Sequence, residues 1–179
     1  MMAKLFQTID EKATKLLRQS DALTTPVDLD RVVRHLKLSV NENPLENEYS
    51  GFLAVKEKTI VVNSNHPPAR RRFTIAHEIG HYQLHRREKA DTQVFIDRTV
   101  YFRNENSSGV EYRLELEANA FAAGLLMPEV LLDEYLGKHP RLDLEKSIDI
   151  KTLADEFEVS RQAMEYRLKN LGFILHTSF

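Results

Sequence analysis

In the run RRRFTIAHEIGHYQLH, residues 70–85, two histidines stand four apart with a glutamate directly after the first: His77, Glu78 and His81. On a helix, positions i and i+4 lie one turn apart on the same face. Both imidazoles can therefore turn toward a single ion about 2 Å away. Glu78, one residue on, lies beside that face, where its carboxylate reaches a water at the ion more easily than the ion itself. Zinc in a catalytic site takes three protein ligands, keeps a fourth position open and lowers the pKa of the water there toward about 7. The chemistry this spacing allows is attack of that water on a carbonyl. Glu78 would take its proton and pass it to the leaving amine.

The residues around the histidines, Phe73, Ile75, Ala76, Ile79 and Leu84, suit a packed helix, and Gly80 leaves room for another backbone to come close. His85 extends the series but is rotated further round the helix and sits at its end. It fits a C-terminal cap, or a hydrogen-bond partner of a ligand, better than a ligand. His35, His66, His139 and His176 show no comparable pattern and read as surface or structural residues.

The chain has no cysteine, so any metal must be held by histidine, aspartate and glutamate, and disulfides are excluded. A helix beginning near residue 111 offers Glu111, Glu115 and Glu117 as a third ligand. Glu115 and Glu117 lie on opposite edges of its apolar stripe, so both cannot serve one ion. Asn119, one turn beyond Glu115, is placed to hydrogen-bond a ligating imidazole and set its tautomer. Helix geometry alone leaves the choice among the glutamates open, and a solvated helix face is the plain alternative for each.

The elements that must position these residues follow from periodicity. Leu5, Ile9, Ala13, Leu16 and Leu17 mark a helix over 4–19. Thr25 before Pro26, followed by Leu29, Val32, Val33 and Leu36, predicts a second, capped helix. NENPLENEYSG reads as a loop, and GFLAVKEKTIVVN as a hairpin ending near Asn63. Two prolines at 67–68 fit only the first turn of the helix that carries the histidines, which runs to about His85. Residues 88–110 contain a weakly alternating run, TQVFIDRTVYFRN, that suits a strand, and the segment could fold over a cleft as a flap. VEYRLELEANAFAAGLLMP is a strong helix with Leu114, Ala118, Phe121, Ala122 and Leu125 on one stripe, ended by Pro128. A helix over 129–136 follows, then DIKTLADEFEV and SRQAMEYRLKNL as two short helices, Gly172 as a stop, and FILHTSF as a closing strand or tail. Helices around a small antiparallel sheet make the fold class α+β.

With 179 residues, 42% of them hydrophobic, the chain can build one real core. Lys+Arg number 25 against 27 Asp+Glu, a net charge of −2, which is no general footprint for nucleic acid or membrane. No run approaches the roughly 18 apolar residues of a spanning helix, and the charged N-terminus lacks the apolar segment of a secretory signal. The expected setting is the cytoplasm.

RRRFTIAHEIGHYQLH followed by ELEANAFAAGLLMP resembles the ImmA/IrrE family of zinc metallopeptidases. PVDLDRVVRHLKLSV, SGFLAV, TIVVN and LADEFEVSRQAMEYRLKNLGFI also fit its pattern, so the resemblance covers roughly 25–175. It implies a zincin-like fold in which His77 and His81 bind zinc and Glu78 is the base. It favours Glu115 as third ligand, with Glu117 as the fallback. One zinc ion per chain is expected, manganese being the alternative, with no organic cofactor. The implied organisation is an N-terminal helix over 1–24, a metallopeptidase core over 25–140 and a helix-turn-helix-like region over 141–179 packed on that core. The resemblance also implies cleavage of a partner protein, a helix-turn-helix (XRE-type) repressor or an antitoxin, relieving repression. The competing function is a metal-bound regulatory or toxin–antitoxin component that binds a partner, or DNA, without turnover.

In zincins an extended substrate adds to a sheet edge before the metal-binding helix, which by position is the strand at 59–63, although an ordinary core strand fits equally. Tyr82, Tyr101 and Tyr112 are the candidates for stabilising a tetrahedral intermediate. At the C-terminus, Ala154, Val159 and Ala163 have helix-turn-helix spacing. There Lys151, Arg161, Arg167 and Lys169 are cancelled by Asp155, Glu156, Glu158 and Glu165, which argues against DNA binding. Arg70, Arg71 and Arg72 read as a helix start with basic side chains in solvent, or as the rim of the cleft.

Overall fold

The computed structural model of the chain describes residues 2–85, 94–98 and 109–174. The order of elements is α1 (Met2–Gln19), α2 (Leu29–His35), β1 (Ser39–Asn43), β2 (Tyr49–Ala54), β3 (Thr59–Asn63), α3 (Pro68–Leu84), β4 (Val94–Arg98), α4 (Gly109–Leu126), α5 (Glu129–Lys138), α6 (Ser147–Glu156) and α7 (Arg161–Asn170). The α+β class holds. Of the expected flap over 88–110, only β4 and residues 109–110, which open α4, are described, and the closing segment after 174 lies outside the described residues.

Four strands form one sheet in the order β1-β3-β2-β4. The hairpin of β2 and β3 is antiparallel, with Leu53 opposite Ile60, and β4 extends it antiparallel beside β2, Phe52 facing Ile96. β1 instead runs parallel to β3, Val40 beside Ile60, so the sheet is mixed rather than wholly antiparallel. The first three residues of the expected loop at 41–51 belong to β1. That strand is exposed almost throughout, so it lacks the apolar alternation that signals a half-buried strand. The loop after it is held by Asn63, whose side-chain amide donates to the Tyr49 carbonyl (2.8 Å) and whose Oδ1 accepts from the Leu45 N–H (3.1 Å).

A second correction concerns α2. It starts at Leu29, not at Pro26, because the Asp28 carboxylate accepts the Arg31 N–H at 3.0 Å and supplies the cap. Elsewhere the periodic stripes bury as expected. Ile9, Ala13, Leu16 and Leu17 of α1 enter the same core as Phe121, Ala122 and Leu125 of α4 and as Leu153, Phe157 and Leu168 of the C-terminal helices. Ser160 caps α7 by accepting the Ala163 N–H, and Gly172, at φ +79, provides the left-handed residue that ends it.

The helix bearing the histidines lies between the sheet and α4, and α4 packs in turn on α1. Two glycines allow this. A Cβ on Gly51 would stand 2.4 Å from the Val61 carbonyl oxygen and 2.7 Å from Thr74 Cγ2, so the sheet and α3 touch closely there. A Cβ on Gly80 would stand 3.1 Å from the Ala118 carbonyl oxygen and 3.2 Å from Ala118 Cα. Backbone therefore meets backbone where α3 crosses α4.

Candidate metal centre

That crossing brings three side chains to one point. The Nε2 atoms of His77 and His81 are 3.0 Å apart. Glu115 sends Oε2 to 3.3 Å from His77 Nε2 and Oε1 to 3.3 Å from His81 Nε2. The ligand atoms of the three residues all lie within 4.8 Å of one another. Tetrahedral ligands at about 2.0–2.1 Å from zinc would stand about 3.3 Å from each other, so the donor set fits such an ion in both chemistry and spacing. Both histidines are 2% exposed. Burial is the main force on His81, pushing it down to about 4 against the opposing pull of Glu115, so its ring is neutral near pH 7 and offers a lone pair. Burial works against ionisation of Glu115, but its hydrogen bonds to His77 and His81 outweigh that and hold it far below the usual carboxylate range.

Each imidazole is also gripped from behind. Asn119 Oδ1 lies 3.0 Å from His77 Nδ1, the contact expected of the residue one turn past Glu115. His85 caps α3 through its backbone N–H to the His81 carbonyl (2.9 Å), and its ring Nδ1 lies 3.2 Å from His81 Nδ1. Glu117, the fallback ligand, points elsewhere: its Oε2 is 3.1 Å from His85 Nε2. The pairing of Glu117 with His85 escaped the reading of the sequence. Its only signal there is the opposite-edge position of Glu117, which excludes it from a site shared with Glu115 but names no partner for it.

Glu78 is wholly buried beside His77 in the chain. A carboxylate so enclosed is costly unless its environment or its chemistry requires it. Tyr82 is built into the hydrophobic core, Tyr112 is half-exposed near the start of α4, and Tyr101 lies outside the described residues. The three arginines at the start of α3 all find partners, Arg70 while still exposed and Arg71 and Arg72 part-buried. Arg70 donates to Ser50 Oγ (3.0 Å), Arg71 pairs with Glu42 (3.0 Å), and Arg72 pairs with Glu158 (3.1 Å) while donating to the Val27 carbonyl (2.9 Å). They tie α3 to β2, to β1 and to the turn between α6 and α7.

The fold and this centre define an IrrE-like zincin domain, and the comparisons agree. The model of the IrrE N-terminal-like domain, peptidase M78, matches residues 33–169, and the chain belongs to this ImmA/IrrE family of metallopeptidase-type regulators. It is 32% identical over 138 residues to an uncharacterized immunity region protein 2 of Bacillus phage phi105, covering 76% of this chain and 79% of that protein. It is 36% identical over 86 residues to the radiation response metalloprotease IrrE of Deinococcus radiodurans, covering 48% of this chain but only 24% of the relative. A Mycobacterium tuberculosis transcriptional regulator shares the fold, with a TM-score of 0.61 at 19% identity over 91% of this chain and 46% of that one. The chain thus spans about a quarter of the Deinococcus protein and under half of the mycobacterial one. Among the described residues, no helix is long and apolar enough to cross a membrane.

Proposed function

We propose that this chain is a zinc-dependent endopeptidase that cleaves a helix-turn-helix repressor or antitoxin partner in the cytoplasm. The observation that supports this best is the convergence of His77, His81 and Glu115 on one point, with a buried Glu78 directly after His77 in the chain. Bound there, zinc would supply the Lewis acidity that polarises a scissile carbonyl and its attacking water. The chain's own groups do the rest. His77 and His81 present Nε2, held by their partners on Nδ1. Glu78 takes the proton of the attacking water on its carboxylate and delivers it to the leaving nitrogen, which needs no further acid. The burial of both imidazoles keeps bulk water from competing for them.

The strand that would receive the substrate is not β3. It is paired on both sides, with β1 and with β2, so its backbone groups are spent. β4 pairs only with β2 among the described residues and also packs against α3. Its outer side is the edge we assign to an extended substrate backbone. The phage relative's immunity-region name supports a regulatory partner. Against DNA as that partner stands Arg167, a basic residue of α7 that is buried rather than presented.

The test is to incubate the zinc-loaded chain with the helix-turn-helix protein encoded beside it, with Glu78→Gln in parallel, and to read fragments by mass spectrometry. Fragments from the unmutated chain alone are expected, the variant losing about 10²–10⁴-fold in rate while keeping its zinc. A stable complex with no fragments would replace this reading with a metal-bound regulator that acts without turnover.

A further inference from the structure

The two histidines of the centre are supported unequally. Behind His77 stands a neutral amide, Asn119. Behind His81 stands a second imidazole, His85, and behind that a carboxylate, Glu117, whose other oxygen lies 3.5 Å from Arg113 Nε. The row runs from a half-exposed arginine through a Glu117 side chain that is 15% exposed to a His85 side chain that is 1% exposed.

With His81 Nε2 given to an ion at the point shared with His77 and Glu115, hydrogen-bond polarity along this row runs one way. His81 Nδ1 then carries the ring proton and donates to His85 Nδ1 at 3.2 Å. His85, accepting there, carries its own proton on Nε2 and donates to Glu117 Oε2 at 3.1 Å. The capping role of His85 does not account for this, because the cap uses its backbone N–H alone and any residue could supply that. Both nitrogens of the buried ring are engaged, which offsets the cost of burying it and ties the ring to His81 on one side and Glu117 on the other.

We propose that His85 and Glu117 are positioning residues of the metal centre, holding His81 in the tautomer and orientation that present Nε2 to the ion. This rests on the zinc reading above. It gives α4 two duties at successive places, since Glu115 faces the ion while Glu117 steadies a ligand from behind. It also makes the fallback ligand a necessary part of the centre without making it a ligand.

The experiment measures zinc affinity of the full chain by chelator competition, together with long-range proton–nitrogen spectra of the histidine rings. Loss of such an outer partner weakens metal binding by about 10–100-fold. Glu117→Leu and His85→Phe should each show that loss, while Glu117→Gln, which retains an acceptor oxygen, should show less of it. The ring spectrum of the unmutated, zinc-loaded chain should place the His85 proton on Nε2, and Glu117→Leu should disturb that assignment. A His85 proton found on Nδ1 in the unmutated chain would overturn the proposal, as would undiminished zinc affinity in either Glu117→Leu or His85→Phe. Should Glu117→Leu fail to fold, Glu117→Gln and the unmutated spectrum still decide. An unmutated chain that takes up no zinc would overturn the metal reading itself, and the titration shows this before any variant is made.

Discussion

Two helix pairs of this chain bury opposite kinds of surface. Where α3 meets α4, His77, Glu78, His81 and His85 are each at most 2% exposed, and Glu115, Glu117 and Asn119 reach them from across the interface. Where α6 meets α7, the interior is apolar, with Leu153, Ala154, Met164 and Leu168 inside. The charges of that pair are outside, with Lys151 on Asp155 and Arg161 on Glu165. Its one buried charged residue is Arg167, which donates to the Met127 carbonyl and pairs with Asp10 of α1, both at 2.9 Å. Burying polar groups costs free energy unless each finds a partner. Arg167 finds two and is satisfied, as a structural tie is. The α3–α4 interface concentrates imidazoles and carboxylates whose donor atoms converge on a point, which stability does not ask for.

The comparison breaks most sharply at Glu115. Glu115→Ala should lower zinc affinity on the order of 10³-fold, about a ligand's share of a structural site's binding free energy. Chelator competition would read it beside Glu117→Ala, which should lose far less. The reverse order would make Glu117 the ligand.

On the other side of the comparison, Arg167→Met should remove the tie and leave Asp10 without its cation. Arg167 is buried but Asp10 is a quarter exposed, with 26% of its side chain accessible. The cost should therefore fall at about 2–4 kcal/mol, short of the full price of a broken buried pair. Urea unfolding measures it, and zinc stoichiometry of the folded fraction should stay unchanged. Loss of zinc from a chain that is still folded would show that α7 and the centre are coupled.

The smallest effect is expected at Gly80, where the two helices touch. Gly80→Ala gains about 1 kcal/mol of helix propensity, but its Cβ must displace the Ala118 backbone, which is itself held against α1 through α4. Overpacking of this kind costs about 1–3 kcal/mol, so a net loss of about 1 kcal/mol is expected in a thermal melt. A stabilised variant would show that α4 can yield and that the crossing is looser than its contacts imply.

Local order was written in the chain itself. The spacing of His77 and His81, the stripe of Leu114, Ala118, Phe121 and Ala122, the prolines at 67–68 and the stop at Gly172 each depend on residues within a few positions of one another, and each stands as read. The partnership of Asn119 with an imidazole was legible for the same reason, since it follows from being one turn past Glu115. What tertiary structure alone decided depends on distant residues. The rotation of α4 about its axis sent Glu115 to the histidine pair and Glu117 to His85, and that rotation was set where Gly80 lets the Ala118 backbone approach. The parallel pairing of β1 beside β3 put β3 inside the sheet and left β1 and β4 as its edges, and no periodicity in an exposed strand could announce it. Periodicity reports which face of an element is apolar. Which neighbour that face meets, and at what angle, is settled only when the separate faces are buried together.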